Sequence, residues 1–220
     1  MRVAGRPSWR FAFGNGQASD LHAALFARDA AGLDVPAAPD VPPRLAADWL
    51  AGDASPRPTA VTAAGRASAA GQWLPWWRAL LAVKVSIVDS RPPANGDMAA
   101  TLAWAKLLHS SAVFDPPEFA ALAATRELRA VITATYAAWP QVPDRSGSFD
   151  YGLIRSTAEQ IAAEFGVPIE AMDARAHVLD VRGSWWHVVG PGCVLCSPGA
   201  TSDPAVAAQL LGAVFASRLR

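Results

Sequence analysis

An α+β fold is what this 220-residue sequence predicts, and three features carry that reading. Apolar residues recur at helical spacing through the first two thirds, broken by proline-rich connectors. Residues 176–197 are dominated by β-branched and aromatic residues in short runs, and both connections between those runs contain glycine. Helical patterns then frame the runs on both sides. Region 1–145 is therefore expected to be mainly helical with a short N-terminal strand. Region 146–220 is expected to be an α-β-β-β-α unit with an antiparallel meander, sharing one core with the first.

The elements follow in chain order. Trp9-Arg10-Phe11-Ala12-Phe13 alternates like a strand, and Gly14-Asn15-Gly16 turns it. Ser19 or Asp20 can cap a helix carrying Leu21, Leu25 and Phe26, which Gly32 ends. Pro36, Pro39, Pro42 and Pro43 forbid a helix there and make residues 34–43 an extended connector. A short amphipathic piece with Leu45, Trp49 and Leu50 follows, then a second breaker over 52–58. Residues 62–82 read as a helix that Pro75 should kink or divide, with Trp73, Trp77, Leu80 and Leu81 on one face. Periodicity leaves 83–88 open between helix and strand. A loop over 92–96 precedes a helix from Asp97 to about His109.

Asp115-Pro116-Pro117-Glu118 has the signals of a helix start. Its inward face reads Leu128, Val131, Ile132, Thr135, Tyr136 and Trp139. Residues 141–149 are the candidate internal boundary. A helix with Ile154, Ala158, Ile161, Ala162 and Phe165 inward ends at Gly166. Strands over 176–181, 185–189 and 193–197 follow, and Asp203-Pro204 opens the last helix.

Composition narrows the class. The formal charge is zero, from 19 basic and 19 acidic residues, which disfavours a chain built to coat nucleic acid or an anionic membrane. Apolar residues are 52% and charged ones 17%, incompatible with general disorder, although 48 alanines inflate the apolar share. Nine Trp and eight Phe supply core mass. Two cysteines make no disulfide framework, no apolar stretch follows Met1, and Arg78 and Lys84 interrupt the best apolar run. A reducing cytoplasm is expected, and the abundance of alanine and arginine suggests a bacterial source.

No motif converges on an active site. Gly14-x-Gly16 lacks the third glycine of a dinucleotide fingerprint, Ser19 standing in its place, and reads as a turn. Cys193 and Cys196, three apart on a strand, point to opposite faces, so no metal or redox pair is expected. Residues 157–167 have the cadence of a helix-turn-helix, but the segment after Pro168 carries Glu170 and Asp173 against Arg175, which opposes groove binding. No catalytic residue, cofactor or metal ligand is assigned.

Tryptophan carries the strongest functional signal, because it buries much area and keeps a polar N–H. Trp76 and Trp77 form one cluster, and Trp185 stands with Trp186 in another. If Arg182-Gly183 is a two-residue hairpin, His177, Leu179, Val181, Trp186, Val188, Val194 and Cys196 share the core face. Asp180, Trp185 and His187 then share the other face with Ala176, Val178, Val189, Cys193 and Leu195. That mixed face should meet the helix near Trp73–Trp77 or a partner chain. The expected binding residues are Trp76, Trp77, Asp180, Trp185 and His187. The expected function is a non-catalytic protein-binding or adaptor protein acting through an aromatic surface, on another protein or by self-association. Second comes an enzyme or small-molecule binder with a pocket between the helical region and the meander, and third a DNA-binding regulator.

Overall fold

The computed structural model describes residues 9–14, 19–50, 62–89, 126–136 and 147–220. The expected breaker at 52–58, the loop at 92–96, the helix at 97–109, the helix start at Asp115 and most of the 141–149 boundary lie outside them. The described residues form six helices and a mixed four-stranded sheet, an α+β fold. No helix among them is long and apolar enough to cross a membrane.

Several local signals work as read, although Ser19 and Asp20 lie inside the helix they were expected to cap. Strand β1 (Arg10–Gly14) leads to helix α1 (Ser19–Ala30). Helix α1 closes where Gly32 takes φ 61°, with the Leu33 amide donating to the Arg28 carbonyl at 2.9 Å. Helix α2 (Ala63–Asp89) runs through Pro75 without dividing and includes 83–88. The helical reading wins there because it puts Lys84 on the buried face of Trp73, Trp77, Leu80 and Leu81, where its Nζ meets Asp20 at 2.7 Å. Helix α3 (Arg126–Tyr136) buries Leu128, Val131, Ile132 and Thr135 as the periodicity requires. Helix α4 (Tyr151–Phe165) starts where Asp150 accepts the Leu153 amide at 2.7 Å and ends at left-handed Gly166. A 3-10 turn over Ile169–Ala171 then leads into strand β2 (Asp173–Val178), so no recognition helix follows α4. Strands β3 (Trp186–Gly190) and β4 (Cys193–Cys196) precede a short helix α5 (Pro198–Ser202) and the terminal helix α6 (Pro204–Ser217).

The order α-β-β-β-α is present, and β3 pairs antiparallel with β4. The first connection differs from the expected meander. The strand order is β1-β2-β4-β3, with β2 parallel to both β1 and β4. The cause lies in 179–182, which pairs with the connector instead of folding back as a hairpin. Val181 bridges Leu45, the Ala46 amide donates to the Asp180 carbonyl at 2.9 Å, and the Arg182 amide donates to the Arg44 carbonyl at 2.9 Å. Val178 is thereby released to lie beside Cys196 in the sheet centre.

That change exchanges the faces of β2 relative to expectation. His187 faces Leu195 and Trp186 faces Cys196, as read from the sequence. Ala176 and Val178, however, join Val194 and Cys196 under α4 and α6, and His177 takes the other face with Leu195. Leu195, Leu179 and Val181 share the second core with α1, α2 and α3, against which Trp185 and Val189 pack. The His187 face, without Ala176 and Val178, thus meets the Trp73–Trp77 helix, one of the two neighbours expected for it.

A buried ion pair ties the connector down. Arg28 donates to the Pro42 and Pro43 carbonyls at 2.7 and 2.8 Å and to Asp29 Oδ1 at 2.7 Å. Asp29 also accepts the Leu45 amide at 2.7 Å and Arg44 Nη1 at 3.0 Å. The two side chains are 4% and 0% exposed, so removing one leaves the other charge buried and unmatched. Asp29→Ala should therefore cost about 3–5 kcal/mol, read as a lower midpoint in urea denaturation.

Candidate functional site

The sequence-derived residues fall into two groups. Trp76 and Trp77 are 1% and 0% exposed and belong to the helical core. Trp77 stacks on Trp73 at 5.3 Å and donates its indole N–H to the Asp40 carbonyl at 2.8 Å. Asp180 is also buried: it accepts the Trp49 indole N–H at 2.9 Å, and its amide donates to His22 Nε2 at 3.0 Å. Trp185 and His187 are half-buried. They line separate clefts of about 310 and 450 Å³ beside the connector, where a pocket between helices and strands was expected. The charges of those clefts already have partners. Arg28 is held by Asp29, and Arg78 bonds Asp40 at 2.8 Å and keeps its carboxyl below the usual range.

A buried polar layer lies between the sheet and α1 and α2. Asp20 and Lys84 pair there, on the face of the sheet that carries His177. Burial holds the His177 imidazole down at about 3, with Lys84, Arg175 and His22 adding repulsion. Burial likewise pushes the Cys193 and Cys196 thiols up to about 12. A neutral imidazole beside protonated thiols is the reverse of an activated Cys–His pair. The two thiols lie on opposite faces of β4, Cys196 in the α4–α6 core and Cys193 away from it. Among the described residues, no group of three His, Cys, Asp or Glu could hold a metal ion.

The exposed aromatic surface lies elsewhere, on β1. Among the described residues this strand has one neighbour, β2, and stands at an edge of the sheet. The Arg10 amide donates inward to the Met172 carbonyl at 2.8 Å. Alternate residues of a strand turn their amides to opposite edges, so Phe11 and Phe13 direct theirs outward. Phe11 anchors the strand, with its ring 5.1 Å from Phe149 and 5.9 Å from Phe215. Phe13 and Tyr151 are 43% and 53% exposed, and both line a cavity of about 330 Å³ with Trp9, whose ring is 5.3 Å from Tyr151. Arg10, Ala12 and Arg175 line the same cavity from the other face of the strand. The alternation at 9–13 marks the strand in the sequence. Its position as an edge is invisible there, because its neighbour among the described residues begins at Asp173.

His177 generates a pH prediction. Unfolded, it takes a proton near 6.5, whereas folded it does so only near 3. The unfolded state binds more protons between those values, so stability is full above about pH 6.5 and falls as the pH drops toward 3. The slope is about 1.4 kcal/mol per pH unit for one proton. His177→Gln should flatten the denaturation-derived stability curve by that amount between pH 6 and 4. Set against known proteins, the chain matches no family model, no curated protein and no solved structure.

Proposed function

We propose that this chain is a cytoplasmic polypeptide-binding or adaptor protein that receives an extended segment of another protein along the open edge of β1. One observation carries the reading: the two large apolar side chains exposed among the described residues, Phe13 and Tyr151, flank one cavity at one sheet edge. Singly exposed aromatics need no explanation, but a pair beside a backbone edge with no neighbour among the described residues offers both affinity and side-chain pockets. Outward amides pair with the incoming backbone, and the aromatic rims grip alternate side chains of the segment. Trp9 and Phe149 back those rims, since their rings lie within 5.3 Å of Tyr151 and Phe13 respectively. A reducing compartment suits two buried free thiols.

Selection from a display library of random peptides tests this. Enriched peptides should bind the protein, and Phe13→Pro should abolish that binding by removing an outward amide. Proline is tolerated at such positions because the inward ladder is untouched. Tyr151→Ser should weaken binding by about tenfold, the loss of a buried aromatic contact. Unfolding midpoints should stay near the parent value in both variants. Failure to enrich any peptide, or equal binding by folded Phe13→Pro, overturns the reading.

A further inference from the structure

The chemistry of the bound segment can be read from the second face of β1. Arg10 and Ala12 point there, and Arg175 of β2 lies directly beside Ala12 in the register. Ala12 presents only a methyl group, so the Arg175 side chain reaches past it into the cavity at the edge. Two guanidinium groups therefore meet one carboxylate. Asp173 stands 3.5 Å from Arg10 Nε, and Arg175 has no ion pair or side-chain hydrogen bond among the described residues. Arg175 is half-buried, and burial lowers its hold on its proton. A half-buried guanidinium with no acceptor is costly, and a planar carboxylate is its best complement. Charge and apolar character are thus sorted by face across β1 and its neighbour β2.

Resting on the edge-binding reading, we propose that the segment received by β1 alternates acidic and apolar side chains. A strand added beside β1 must place successive side chains on opposite faces. Those on the α4 side meet Phe13 and Tyr151 and are apolar. Those on the opposite side meet Arg10 and Arg175 and are carboxylates. Glutamate reaches Arg175 across the width of the Ala12 position, so the acid directly opposite Ala12 sets the register.

Calorimetric titration of the full chain with two short capped peptides tests this, one alternating valine with glutamate and one alternating valine with lysine. The glutamate peptide should bind about tenfold more tightly or better, the scale of a charge-assisted hydrogen bond. Arg175→Gln should erase that preference while leaving the residual affinity of the lysine peptide in place. Arg175→Lys should retain part of it, and circular dichroism should show both variants folded. Equal binding of the two peptides, lost together in Phe13→Pro, leaves the edge reading standing and overturns the acidic one. No binding of either peptide, by a chain that does enrich peptides from a display library, also overturns the acidic inference alone. Tighter Arg175-dependent binding of a short poly-dT strand than of the glutamate peptide overturns it in favour of nucleic acid.

Discussion

The carboxylate of Asp29 holds together the part of the chain that has least structure of its own. The proline-rich connector cannot pair as a strand, because its prolines lack amides, yet their carbonyls still need donors. Arg28 supplies those donors to Pro42 and Pro43, and Asp29 neutralises Arg28 while receiving the Leu45 amide. Arg28 also lies over the Trp73 ring at 5.4 Å, so the pair is locked to α2. Once Leu45 is placed, Val181 pairs with it and the chain after β2 is drawn away from β3. The parallel arrangement of β2 and β4 therefore depends on an ion pair formed more than a hundred residues earlier.

The same dependence explains the polar layer beneath α1 and α2. A central strand of a parallel sheet is covered on both faces, and Ala176 through Val181 are buried without a break. Polar groups on that strand must be neutralised within the protein or kept uncharged. His177 on the strand takes the second course, while Lys84 of α2 and Asp20 of α1, packed on the same side, neutralise each other. Among the described residues the indole N–H of Trp76 and Nε2 of His177 lack hydrogen-bond partners, and burial keeps the imidazole neutral.

The two sheet edges are treated differently. At β3 the register slips between Val188 and Gly190, and Val85 of α2 packs against Gly190, which interrupts a regular edge. At β1 the pairing with β2 is regular over all five residues, and aromatic side chains flank the outer side. Among the described residues that edge is open, regular and aromatic, the feature on which the proposed strand addition rests, and the Arg10–Arg175 face is what gives the proposed segment its charge. An exposed edge is also a liability for self-association, and the short length of β1 limits it.

What the residues determined by themselves is the set of features that close over a few positions. Asp150 and Asp203 cap their helices, Gly32 and Gly166 end theirs, and Gly190-Pro191-Gly192 turns β3 into β4. The opposite faces of Cys193 and Cys196, and the sharing of one face by Trp185 and His187, follow from the same short-range alternation. The tertiary structure alone decided the neighbour of β2, the helical state of 83–88, the burial of Trp76 and the exposure of Phe13. Each turns on partners far apart in sequence: Leu45 with Val181, Lys84 with Asp20, and β1 with a strand beginning at Asp173. Hydrogen bonds within a turn or cap are specified by residues three or four apart, whereas a sheet edge is defined by which distant strand is present and which is not.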